Sequence, residues 1–253
     1  MYIGNDPSST TNSAQYNVAV GTTALDAITT GDKIVAVGYN ALGKNTTGSS
    51  NTALGMYALN SNTTGNLNTA VGNEAMKSNT TGENNTALGW EALSSNTTGS
   101  RNTGSGLYVL RSNTTGQYNT AMGYEAGDVI TTGSNNTIIG YQADPSANNA
   151  SNQIVIGKGA TGQGDNYAVI GNADVTRVYA AQDGAAVLYA NGTINSSDMR
   201  LKDFIKPVNL GLQFINKLNP VSYLKISKSQ YKGEEENNET RYTRSYSDIT
   251  FSW

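Results

Sequence analysis

Asn51-Thr52-Ala53-Leu54-Gly55-Met56-Tyr57-Ala58-Leu59-Asn60-Ser61-Asn62-Thr63-Thr64-Gly65 decides how the whole chain is read. The phrase returns every seventeen residues. Its first glycine falls at Gly4, Gly21, Gly38, Gly55, Gly72, Gly89, Gly106, Gly123, Gly140 and Gly157, each seventeen beyond the last. A second glycine column runs through Gly31, Gly48, Gly65, Gly82, Gly99, Gly116 and Gly133 at the same step. A period this strict in so short a unit means stacked coils, each leaning on its neighbours.

Seventeen residues are too few for a pair of helices and enough for two short strands and two turns. The expected fold is therefore all-β, a parallel β-roll of seventeen-residue coils over residues 1–171. Alternation along the first strand predicts two inward columns. One runs from Val18 through Val35, Thr52 and Thr69 to Ile154, the other from Val20 through Leu54, Val71 and Leu88 to Ile156. Between them, Ala19, Ala36, Ala53, Ala70, Ala87 and Ala121 are expected on the opposite face, too small and apolar for a free surface. A second strand is predicted through Ala24-Leu25, Ala58-Leu59 and their equivalents. Glycine supplies the turns, because it takes positive φ without steric cost. Stacked asparagines are expected to hydrogen-bond their equivalents one coil away. A coil this thin buries little core, so the Ala face is expected to pack on another chain.

These phrases resemble the head repeats of trimeric autotransporter adhesins and related repeats in bacteriophage tail fibres, with Asn17-Val18-Ala19-Val20-Gly21 the nearest copy. The resemblance covers residues 1–171 and implies a left-handed parallel β-roll with three chains side by side, a homotrimer.

Composition alone would suggest disorder: mean hydropathy is −0.43, and Asn, Thr, Gly and Ser dominate. The strict repeat overrides that reading, because stacked coils share a core that no single coil owns. A net charge of −3 without a basic stripe argues against nucleic acid. With no Cys and no His, disulfides, thiolate chemistry and the commonest general base and metal ligand are absent. No cofactor or metal is expected. Met1 opens no signal peptide and no apolar run is long enough to span a bilayer, so membrane insertion is not expected. That favours a virion protein assembled in the host cytoplasm over a cell-surface adhesin. The Asn-Thr-Thr sequons are by-products of the repeat. The Thr63-Thr64 pairs leave an ice- or surface-binding protein as a third, minor reading, since adjacent Thr on a strand point opposite ways.

The variable slots after the first glycine carry Tyr57, Trp90, Tyr108, Tyr124 and Tyr141. Varied aromatics on a rigid scaffold suit contact with a host surface glycan or protein receptor, and this is the candidate receptor rim.

The pattern decays after Gly157, with the next match, Tyr167-Ala168-Val169-Ile170-Gly171, fourteen residues on. Residues 172–197 read as a neck. Then Ser197-Asp198-Met199-Arg200-Leu201-Lys202-Asp203-Phe204-Ile205 opens a basic segment: of sixteen Lys and Arg, nine lie at or beyond Arg200. Pro207 to Leu218 reads as a helix, with Pro in its first turn and Leu210, Phe214 and Leu218 on one face. The phrase from Ser197 to Ile205 resembles the start of the self-cleaving intramolecular chaperone domain that ends phage tail fibres and tailspikes, Ser-Asp-x-Arg-Leu-Lys-x-x-Ile. Leu218-Asn219-Pro220-Val221-Ser222-Tyr223 fits the next segment of that family. The resemblance implies a scissile bond between Ser197 and Asp198, Ser197 as nucleophile and Lys202 as general base, with Arg200, Leu201 and Ile205 as supporting motif. A Ser-Lys pair needs a lysine that has lost its proton, through desolvation or a cationic neighbour such as Arg200. Beyond Tyr223 the sequence departs from the family, through the charge run Glu234 to Glu239, and residues 198–253 read as a truncated chaperone. An uncut chain is therefore the expected outcome. The resulting expectation is a host-attachment segment of a phage tail fibre, joined to other tail proteins.

Overall fold

The computed structural model describes residues 14–176 and 178, with the backbone strands Tyr2–Gly4, Lys232–Glu236 and Glu239–Thr243. The chain divides into two compact units, Met1–Val187 and Leu188–Trp253.

The first unit is a β-solenoid. Eleven short strands form one parallel sheet in sequence order: β1 Tyr2–Gly4, β2 Val18–Gly21, β3 Val35–Val37, β4 Thr52–Leu54, β5 Thr69–Val71, β6 Thr86–Leu88, β7 Thr103–Ser105, β8 Thr120–Met122, β9 Thr137–Ile139, β10 Ile154–Ile156 and β11 Ala168–Ile170. Each residue pairs with the one seventeen further on, as in Ala53↔Ala70, so the glycine period is the inter-strand register itself. The last step shortens to fourteen, Ile154↔Ala168, where the sequence match also shifts. No α-helix occurs among the described residues.

Each coil has one strand, not two. The Ala-Leu stretch is a chain of turns: Tyr57 and Leu59 both have positive φ, 58° and 51°, and Asn40 and Leu42 repeat the pattern one coil earlier, at 57° and 51°. The reason is burial. Ala58 and Leu59 are adjacent and both fully buried, which a strand cannot arrange because neighbouring side chains leave opposite faces. Alternating backbone hand turns both inward. The backbone still bonds coil to coil here, Tyr57 N to Tyr39 O at 2.9 Å and Leu59 N to Ala75 O at 3.0 Å.

The facing of the strand is also the reverse of the expectation. The Ala column from Ala19 to Ala121 is the inner one, 0–3% exposed within a single chain. The flanking columns point out: Leu54 is 46% and Met122 55% exposed. Packing of the Ala face on another chain is thereby excluded. The interior is too narrow for large side chains from both walls. The sheet contributes Ala and the opposite wall contributes Ala and Leu, as Ala53 and Ala58-Leu59.

Where one wall changes, the other answers. Gly104 replaces the sheet Ala, and Val109 replaces the facing Ala; a Cβ on Gly104 would lie 3.0 Å from Val109 Cγ1. Gly127 stands in the Leu column, and Ile138 replaces the sheet Ala, 3.6 Å from where a Cβ of Gly127 would sit. Volume is conserved within the coil, which is how close-packed interiors tolerate change.

Asparagine fills the rest of the interior. Asn62, Asn79, Asn96 and Asn113 each donate Nδ2 to Oδ1 of the asparagine one coil before, at 2.7–2.8 Å, starting from Asn45. All five are completely buried. In a second column Oδ1 accepts from the backbone N–H one coil on, Asn68 N to Asn51 Oδ1 at 2.9 Å, and Nδ2 donates to a glycine carbonyl, Asn51 Nδ2 to Gly65 O at 2.8 Å. Ile28 and Ile130 stand at the two ends of the first column. Because Ile130 brings no donor, Asn113 Oδ1 is buried without a partner.

The two glycine columns exist for different reasons. Gly55 has φ +141°, and a Cβ there would collide with the carbonyl of Gly72. Gly65 has no such φ; a Cβ on it would strike the carbonyl of Gly82 and crowd Asn62 Oδ1 at 2.5 Å. The second column is glycine for space.

In the second unit, β12 Lys232–Glu236 pairs antiparallel with β13 Glu239–Thr243, with Glu236 opposite Glu239. The sequence-predicted helix from Pro207 to Leu218 falls outside the described residues.

Candidate functional site: the aromatic edge

The positions one and two residues after the first glycine form two adjacent columns on the turn edge. The second is held at positive φ in every coil: Tyr57, Glu74, Glu91, Tyr108, Glu125 and Gln142. Few residues tolerate that conformation without a fixed scaffold. Here the coil-to-coil backbone bond supplies it, as Tyr108 N to Trp90 O at 3.0 Å and Glu125 N to Leu107 O at 2.9 Å.

Four of the five rim residues come together. Trp90 and Tyr108 have ring centroids 6.1 Å apart, Tyr108 and Tyr124 6.3 Å, and Tyr124 and Tyr141 5.2 Å. Tyr57 stands apart from this run. It packs edge-on against Tyr39 at 5.3 Å, and the coil carrying Asn73 and Glu74 separates the two groups. The run crosses between columns, because Leu107 takes the first slot where Tyr108 takes the second.

Polar groups lie beside the rings. Gln142 Nε2 donates to Glu125 Oε2 at 2.8 Å. The Arg111 guanidinium lies 4.9 Å from the Tyr108 ring centre and 3.9 Å from Asp128. Lys77 lies 5.4 Å from the ring centre of Tyr57 and bonds Glu74 at 3.1 Å. Hydrogen bonding with Glu125, then slight burial, raises the pKa of the Tyr124 phenol. Hydrogen bonding with Tyr39 does the same to Tyr57. Both phenols are therefore neutral hydrogen-bonding groups at neutral pH.

Sequence reading missed Asp144. It occupies the column of Leu25, Leu42, Leu59, Met76, Leu93 and Leu110, two coils beyond Leu110 and one beyond Gly127. That position explains its state. Burial, then the charge of Asp128, pushes its carboxyl up to about 6, against backbone donors from Val129 and Asp128. One carboxylate oxygen is buried without a partner. Burial and Glu125 also raise Asp128, with Arg111 opposing. Tracing the Leu column by eye would have found Asp144.

The paired threonines are not equivalent ranks. Thr63 Oγ1 donates to the Thr80 carbonyl at 3.2 Å and is half-buried, while Thr64 is exposed. Among the described residues no three His, Cys, Asp or Glu side chains are grouped to hold a metal, and no helix is long and apolar enough to cross a membrane. Ser197, Asp198, Arg200, Leu201, Lys202 and Ile205 lie outside the described residues.

Comparison with known proteins returned no matching family, no matching curated protein and no matching solved structure.

Proposed function

We propose that the chain is a host-attachment segment of a phage tail fibre, a homotrimer whose three coil stacks meet through the outer face of the sheet. One observation carries this reading. The outward sheet positions from Val18 to Ile170 include Leu54, Leu88, Met122 and Ile139, all exposed, and no charged residue in any of strands β2 to β11. One outward rank, from Val20 to Ile170, is apolar in every coil but that of Ser105, and its neighbour carries Thr from Thr52 to Thr137; an uncharged face of this kind over about 45 Å, at the usual strand spacing, is more than a monomer commonly leaves to water. Only a partner with the same coil height can match such ranks along their whole length, and a second copy has it by construction. The virion setting rests on the sequence resemblance alone.

The same resemblance makes the segment from Asp198 a trimerising chaperone. Parallel stacks of near-identical coils can pair one coil off, so a separate domain that fixes register first has clear use. Cleavage at Ser197–Asp198, with Lys202 as base, would then make unfolding hard to reverse.

Native mass spectrometry tests the assembly, with three copies of the 26.6 kDa chain expected. Leu54→Lys with Leu88→Lys should give folded monomers. A folded wild-type monomer would sink the proposal. Denaturing the same sample reads the Ser197–Asp198 bond; an uncut chain is expected, and fragments meeting at that bond would establish maturation by self-cleavage.

A further inference from the structure

We infer that the run Trp90, Tyr108, Tyr124 and Tyr141 is a binding strip for a linear, uncharged glycan lying along the stack axis. This rests on the attachment reading and names the ligand class for it.

The first argument is chemical pairing. Each coil of the run presents a ring beside a second side chain: Trp90 with Glu91, Tyr108 with Leu107, Tyr124 with Glu125, Tyr141 with Gln142. Rings accept the apolar C–H face of a pyranose; carboxylate and amide oxygens take its hydroxyl protons, and amide N–H donates to its oxygens. Glu125 and Gln142 already bond each other at 2.8 Å, which fixes both at the surface. The only cation against the four rings, among the described residues, is Arg111, and it is placed against Asp128. The next cation along the edge, Lys158, lies one coil past the end of the run.

The second argument is spacing. The rings repeat once per coil, with centroids 5.2 to 6.3 Å apart. An extended pyranose chain advances by nearly that distance per sugar.

Ring angles divide the labour. Tyr124 and Tyr141 are nearly parallel, 13° apart, so they cover each other's facing surfaces and offer edges and hydroxyls. Trp90 is tilted 43° from Tyr108 and is 52% exposed, so it keeps a ring face open. Trp90 is thus the stacking platform, and the Tyr124–Tyr141 end is the hydroxyl-bonding end. The coil before Trp90 carries Asn73 and the one after Tyr141 carries Lys158, so the strip holds about four sugars.

The test is titration calorimetry of the full chain with cellohexaose, chitohexaose and maltohexaose. Binding of an extended hexaose, cello- or chito-, is expected over the curved maltohexaose. Trp90→Ala should weaken it at least tenfold. Tyr141→Phe should weaken it less than Tyr141→Ala, and Tyr16→Ala should leave it unchanged. All three sites are on the surface, and circular dichroism confirms that the variants fold. Binding that survives the Trp90→Ala, Tyr141→Ala double variant overturns the inference, as does failure of all three hexaoses to bind. Adhesion of labelled trimer to bacterial cells separates the two readings. Wild-type adhesion that the double variant retains overturns the glycan strip and leaves attachment standing; no adhesion by either overturns attachment as well.

Discussion

The coils from Gly38 to Gly123 and those from Gly123 to Gly171 solve one problem in two ways. Apart from the Gly104–Val109 exchange, the middle coils copy a single solution: Ala facing Ala-Leu or Ala-Met, a buried asparagine bonded to its twin, and glycine at both turns. The later coils keep the sheet and lose the copying. Ile130 ends the asparagine column, Ile138 fills for Gly127, Asp144 takes a leucine position, Gln153 an asparagine position, and the period falls to fourteen. The difference separates what the fold requires from what repetition merely makes convenient. Strand pairing and the first glycine persist to Gly157, whereas the ladder and the Leu column do not.

The comparison breaks most visibly at glycine. Gly72→Ala places a Cβ against the carbonyl group of Gly89 in a backbone with φ +138°. It should cost about 4 kcal/mol or more, since neither backbone can yield without moving a whole coil. Gly159→Ala, at φ +59° with nothing within 4 Å of the new Cβ, should cost about 1 kcal/mol. Urea unfolding followed by circular dichroism gives both numbers, and equal losses would abolish the distinction.

The ladder comes next. Asn79→Ala removes the donor to Asn62 Oδ1 and the acceptor for Asn96 Nδ2, both 2.8 Å bonds in a dry interior. Two stranded partners predict a loss of about 3 kcal/mol. Asn113→Ala removes a group whose Oδ1 already lacks a donor, so about 1 kcal/mol is expected. A larger loss at Asn113 than at Asn79 would mean that the column is anchored from its end.

The smallest effect belongs to Asp144. Its folded carboxyl, at about 6, lies above the ordinary value of 3.8, so the folded state holds the proton more tightly than the unfolded one. The contribution of Asp144 to stability is therefore greatest below about pH 4 and is lost as pH rises through 6. With solvent screening of this half-buried group, the loss should be about 1 kcal/mol. Asp144→Asn should flatten that part of the pH–stability curve, measured by thermal melting.

The coil, its length and its register were legible in the sequence, because a parallel sheet of identical coils turns spacing directly into pairing. Facing was not. Val18 and Leu54 are more apolar than Ala19 and Ala53, and the usual preference would bury them. It fails because seventeen residues enclose a space that Leu59 and two asparagines nearly fill, leaving room only for Ala. The second strand failed on the same evidence: Ala58 and Leu59 are adjacent and both apolar, which points to turns. The rim was legible residue by residue, but the contacts of Tyr108 with Trp90 and Tyr124 depend on the two-column geometry of the turn edge. Ser197 and Lys202 rest on the sequence phrase alone.

The inter-coil hydrogen bonds run along the stack, at right angles to the strands. A pull along that axis therefore loads one coil's bonds at a time, as a zipper is loaded, and does not shear all of them together. Each coil that yields frees seventeen residues, roughly 55 Å of slack in place of a height of about 4.8 Å. Under tension such a stack gives way in equal steps, lengthening coil by coil without parting.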